Sequence, residues 1–147
     1  SLIHCKPPLT LEEPDAIPKV QLWNRFELSQ SGPKENKTIN PFEDYDFGAN
    51  FTYKSLSFYV YGFYDGNGIY KVRFMPNTVG VWNYVTFSND KSMNGIKGQF
   101  NCTAASSTNY GVAYVNASRS TKSFTWSQNN NAYFSVGTTS YAFIHYP

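Results

Sequence analysis

Glu43, Asp44 and Asp46 are the carboxylates that fall close enough together to suggest acid/base work. Such work by paired carboxyl groups needs them held a fixed distance apart across a cleft. Neighbouring residues of a strand point to opposite faces, so this cluster reads as a solvated loop and strand edge. Asp65-Gly66-Asn67-Gly68 offers oxygens to a hard cation and a G-x-G spacing to a phosphate. No bidentate Glu follows at an offset suited to calcium, and Lys71 stands where a dinucleotide fingerprint needs its third glycine. The tetrapeptide reads as a tight turn. His4 and His145 sit at opposite ends of the sequence. There is no G-x-S-x-G elbow, no H-E-x-x-H pair and no Cys-His arrangement with family spacing. The residues thus supply no catalytic set, no metal-ligand set and no cofactor motif, and the chain alone is expected not to be an enzyme.

The aromatic residues offer binding chemistry instead. Trp23, Trp82 and Trp126, with the many tyrosines, could form a flat platform for sugar rings, because aromatic faces complement the C–H faces of pyranoses. Burial in a core is the commoner fate of such side chains, and Trp82 is expected there. Trp23 shares a strand face with Arg25 and Glu27, which places it on an exposed or interfacial side and makes it a candidate sugar contact.

The elements that must position these groups are strands. Aromatic residues make up 18% of the 147-residue chain and charged residues 15%, a bias toward sheet formers. The length suits one domain able to bury a core without disulfides or metals. A formal charge of +2, with cations and anions interspersed, leaves no footprint for a phosphate backbone, so nucleic acid is excluded as a partner. No stretch approaches the roughly 18 apolar residues of a membrane span. Cys5 and Cys102 lie too far apart for a zinc knuckle or redox pair. A long-range disulfide between them stays open, as does a lipid carried on Cys5, which follows Leu2 and Ile3. Asn36, Asn50, Asn101 and Asn116 head glycosylation-like triplets, which chance explains in a chain rich in Asn, Ser and Thr.

Along the chain, prolines 7, 8, 14 and 18 make residues 1–18 an extended leader. Gln21 to Leu28 reads as the first strand, with Leu22, Asn24, Phe26 and Leu28 on its core face. Ser29 to Phe42 reads as a loop, with Asn40-Pro41 starting a turn. Tyr45 to Tyr53 alternates aromatic and polar residues and is the clearest strand. Leu56 to Phe63 is a second aromatic run, and Tyr70 to Phe74 alternates again after the polar turn. Gly80 to Phe87, Gly98 to Thr103 and Gly111 to Val115 continue at sandwich spacing. Ser123 to Trp126 and Tyr133 to Val136 flank a turn at Gln128 to Asn131. No segment holds a helical period over three turns. The expected fold is all-β, an antiparallel sandwich over residues 19–115, followed by a connecting hairpin over 116–147.

Phe63-Tyr64-Asp65-Gly66, then Tyr70-Lys71-Val72-Arg73-Phe74-Met75-Pro76, then Gly80-Val81-Trp82-Asn83-Tyr84, resemble the immunoglobulin-like domain of unknown function that precedes the catalytic barrel in many bacterial glycoside hydrolases. Trp23 to Leu28, Gly98-Gln99-Phe100 and Asn109-Tyr110-Gly111 extend the resemblance from about Val20 to the C-terminus. It implies an immunoglobulin-like sandwich, secreted, periplasmic or at the cell surface, that serves as a non-catalytic accessory module. Its partner would be its own barrel, with a polysaccharide or oligosaccharide as further ligand. Tyr133 to Ala142 resembles the strand that opens the (β/α)-barrel, whose C-terminal end faces the active site. By that resemblance Thr139, Tyr141 and His145 border a sugar subsite, and the catalytic carboxylates come from later strands. An autonomous carbohydrate-binding module and an adhesive immunoglobulin-like domain are the rival readings. An apolar C-terminal strand without neighbours also predicts pairing between chains.

Overall fold

Alternating side chains on short strands dominate the computed structural model, which describes residues 17–118, 124–134 and 137. Two units divide the chain, Ser1–Thr103 and Ala104–Pro147. The first holds β1 (Lys19–Gln21), β2 (Phe26–Ser31), a four-residue helix α1 (Pro41–Asp44), β3 (Phe47–Tyr53), β4 (Leu56–Tyr61), β5 (Phe63–Gly66), β6 (Ile69–Phe74), β7 (Gly80–Ser88) and β8 (Lys97–Thr103). A five-stranded sheet in the order β1-β8-β7-β3-β4 packs on a three-stranded sheet in the order β2-β6-β5. The result is a β-sandwich, antiparallel throughout these two sheets except where β1 runs parallel to β8.

The period of two decides what fills it. Phe47, Ala49 and Phe51 of β3, Tyr70, Val72 and Phe74 of β6, Trp82 of β7, and Phe100 and Cys102 of β8 are buried between the sheets. Phe51 stacks on Phe74 with ring centroids 4.3 Å apart, and Phe26 on Phe100 at 4.1 Å. Trp82, wholly buried, satisfies its indole by donating to the Thr78 carbonyl at 2.9 Å. Pro76 follows the β6 ladder, and Gly80 starts β7 at φ 141°, with the Tyr53 ring where a side chain would stand. Trp82 and Tyr84 share the inward face, as the alternation predicts.

The strand expected over Gln21 to Leu28 is two strands in different sheets. Asn24 N donates to the Gln21 carbonyl at 2.9 Å, Trp23 takes a φ of 67°, and the chain crosses from β1 to β2. Val20 and Leu22 then pack on the core from the large sheet, Phe26 and Leu28 from the small one. Both arrangements have the same alternation, which is why periodicity merged them. Leu56 to Phe63 splits in the same way at Gly62, whose N donates to the Phe47 carbonyl at 2.7 Å. A side chain at 62 would meet the Lys71 carbonyl and the Phe47 ring. Within the expected loop, β2 continues to Ser31, and Asn40 caps α1 by accepting from Phe42 N at 3.2 Å.

The second unit holds β9 (Ala113–Val115), β10 (Phe124–Trp126) and β11 (Ala132–Tyr133), an antiparallel sheet in the order β11-β10-β9. Trp126 lies against Tyr133 at 4.6 Å and Tyr110 at 5.9 Å. The hairpin expected around Gln128 to Asn131 is present, its turn closed by Asn130 N on the Trp126 carbonyl at 2.9 Å. β9, expected to end the sandwich, pairs with β10 instead. The leader through residue 16 lies outside the described residues, and so does most of the segment expected to open a barrel. Cys102 is a buried free thiol among the described residues, and Cys5 lies outside them.

Candidate functional site

Trp23, the described member of the expected sugar contacts, sits in the turn between β1 and β2. Its left-handed backbone is an outlier for a bulky residue. Its amide donates to the Pro76 carbonyl at 3.2 Å, which holds the turn against the end of β6. The ring is half-buried, and its indole nitrogen is shielded from solvent with no hydrogen-bond partner among the described residues. The expectation of an exposed or interfacial face is met only in part. Thr139, Tyr141 and His145 lie outside the described residues.

Within the acidic cluster, the Asp44 carboxylate serves the backbone. Asp44 accepts from Asn40 N at 2.7 Å across α1, and the Asn89 side chain spans the Asp44 carbonyl and Asp46 N at 2.8 and 3.0 Å. The Asp65-Gly68 segment closes β5 on β6 through a register shift, with Asn67 at φ 54°. Asp65 is committed to Lys71 at 2.5 Å, and the Tyr64 hydroxyl joins Glu35 to Gly68 N. Among the described residues no group of three His, Cys, Asp or Glu side chains could hold a metal.

On the outer face of the small sheet, Glu27 meets Arg73 at 2.7 Å, Lys71 at 3.6 Å and Arg25 at 3.9 Å. The Arg73 hydrogen bond holds the Glu27 carboxyl below its ordinary range; slight desolvation opposes this, and the charges of Lys71, Arg73 and Arg25 add to it. Asp65 raises Lys71 in turn, chiefly through its hydrogen bond. This exposed network ties together the outer surface of β2, β6 and β5.

The outer face of the large sheet carries what the sequence reading passed over. Tyr59 and Tyr61 of edge strand β4 are each 73% exposed. Phe87 of β7 lies between them, with ring centroids 6.2 and 5.3 Å away. Beside these rings Ser57 donates to Asn50 at 2.9 Å, and two strands over Gln99 donates to Asn83 at 2.8 Å. An open groove of about 270 Å³ runs along β7 and β8 past Asn83, Tyr84, Val85, Lys97, Gly98 and Gln99. The signal was present: Leu56, Phe58 and Val60 already fill the inward positions of β4. The aromatic residues between them had to face solvent.

Comparisons with known proteins bear on what such a sandwich serves. Residues 19–89 match a domain of unknown function, DUF5060. The matched stretch opens with β1 and closes just past β7. With 37% identity and a TM-score of 0.70 over 88% of its length, the chain is similar to the crystal structure of a putative glycoside hydrolase from Bacteroides vulgatus ATCC 8482. It spans 24% of that protein's length. No curated protein matches. The motif-bearing strands β5, β6 and β7 all lie inside the matched family segment.

Proposed function

We propose that the chain is a non-catalytic accessory module of a glycoside hydrolase that works outside the cytoplasm, secreted, periplasmic or held at the cell surface. The observation that carries this is the similarity to one quarter of a hydrolase-like protein: 88% of this chain aligns with only 24% of that one. A sandwich core crowded with aromatic rings, with the Asp44 carboxylate spent on the turn of α1 and that of Asp65 on Lys71, supports a supporting role over a chemical one. In this reading the partner is a catalytic barrel in the intact protein, and the sandwich is immunoglobulin-like. The segment from Tyr133 leads into the barrel's first strand, and Thr139, Tyr141 and His145 border its sugar subsite; Trp23 is a candidate sugar contact of the sandwich itself. Cys5 is the candidate point of lipid attachment.

The test compares two proteins on aryl glycosides and a panel of polysaccharides. The 147-residue chain releases no reducing sugar, whereas the product of the reading frame extended beyond Pro147 does. Hydrolysis by the short chain well above a blank would end this reading, as would an extended product without a catalytic domain.

A further inference from the structure

We infer that the outer face of the five-stranded sheet binds a neutral polysaccharide, with sugar rings laid against Tyr59 and Tyr61. The inference deepens the accessory-module reading and rests on it for the class of ligand.

The chemistry on the page is that of a glycan site. A pyranose presents an apolar C–H face and a rim of hydroxyls, so it wants an exposed aromatic ring with planar amides beside it. Tyr59 and Tyr61, two positions apart on β4, point outward together, and Phe87 packs against both from β7. Gly48, between β4 and β7, has no side chain; the Phe87 ring occupies the space instead, which keeps the aromatic row continuous across three strands. The polar rim follows in the same sheet: Asn50 with Ser57 adjoins the rings, and Asn83 with Gln99 lines the groove beyond. Each amide spends one group on its neighbour, and the primary amide retains others for a ligand.

Charge selects the occupant. By register, the outward positions are Lys19 and Gln21 on β1, Lys97, Gln99, Asn101 and Thr103 on β8, and Val81, Asn83, Val85 and Phe87 on β7. Gly48, Asn50 and Thr52 on β3, with Ser57, Tyr59 and Tyr61 on β4, complete the face. No carboxylate is among them, and both lysines lie on the strands farthest from the rings. An uncharged aromatic end matches an uncharged sugar chain. A protein partner would have to bury the amide pairs that interrupt the apolar surface, at the desolvation cost such groups carry. β4 is an edge strand, so an extended chain crossing Tyr61 and Tyr59 meets no neighbouring strand.

The test is affinity electrophoresis of the whole chain in gels containing hydroxyethylcellulose, xylan, galactomannan or mixed-linkage glucan, with polygalacturonate as the acidic arm. At least one neutral polymer is expected to retard the protein. The double substitution Tyr59→Ala/Tyr61→Ala should weaken that binding about tenfold or more, and Gln99→Ala should weaken it less. Phe42→Ala, which removes an equally exposed ring elsewhere, should leave it unchanged. Melting curves of the variants check that each is folded. The inference fails if no neutral polymer retards the chain, if retardation survives the double substitution, or if polygalacturonate alone retards it. It also fails if light scattering shows a dimer that the double substitution abolishes, since the face then belongs to a second copy. None of these failures touches the accessory-module reading, which hydrolysis by the extended protein decides.

Discussion

Phe87 lies across Gly48, its partner in the register of β7 on β3, and fills the space a side chain at residue 48 would need. The aromatic row on the outer sheet face exists because one residue beneath it has no side chain. Gly48→Ala should therefore be destabilising by about 1–3 kcal/mol, since the new methyl group meets both the Phe87 ring and the Val60 carbonyl. Phe87→Ala removes only the first of these obstacles. In urea unfolding the double variant should recover part of the loss, and strict additivity would show that the ring is not what excludes the methyl group.

Two indoles make opposite predictions. Trp82 donates to the Thr78 carbonyl from the centre of the core, so Trp82→Phe leaves that acceptor unpaired and a gap beside it. A loss of about 1–3 kcal/mol is expected. The Trp23 indole nitrogen is shielded and donates to none of the described residues, so Trp23→Phe removes a dissatisfied donor and should leave the melting temperature unchanged or raised. A clear drop for Trp23→Phe would mean that its nitrogen has a partner in solution.

Glu27 makes stability depend on acid. Its folded carboxyl is held below the ordinary value of 4.5, first by the Arg73 hydrogen bond and then by the surrounding cations. The stabilisation is complete above that value and disappears as pH falls through the lower folded value. Below pH 4.5 the unfolding free energy of the native chain should fall more steeply than that of Glu27→Gln. The difference should shrink in high salt, because the network is exposed.

Cys102 should be inert in the folded chain. It is fully buried, and desolvation raises its thiol above the ordinary value, which suppresses the reactive thiolate. In a Cys5→Ser background, iodoacetamide should label Cys102 only as fast as the sandwich opens. Rapid labelling under native conditions would contradict the burial.

The all-β character and the inward set of β3, β6 and β7 were legible because alternation reports burial directly: Phe51, Val72 and Trp82 stand where the period of two places them. Sheet membership was not legible. Leu22 and Phe26 are both inward residues of one apparent run, yet they enter the core from opposite sheets, and only the backbone reversal at Trp23 separates them. The parallel pairing of β1 with β8 was equally hidden, since it depends on contact between residues about eighty positions apart, such as Val20 and Cys102. The platform of Tyr59, Tyr61 and Phe87 escaped because aromatic residues in a strand suggest core, and the second, outward row shows only once the first has been assigned inward.

The three-residue seam between β1 and β8 has a mechanical meaning. Asn101 N donates to the Pro18 carbonyl and Leu22 N to the Thr103 carbonyl, each at 2.8 Å, so the seam is bonded at both ends. Because the two strands run the same way, tension drawn through the chain before Lys19 and after Thr103 pulls them lengthwise in opposite senses. The bonds of the seam then share the load in shear instead of opening one by one. A sandwich clasped in this manner transmits force between its flanking segments without unravelling from either end.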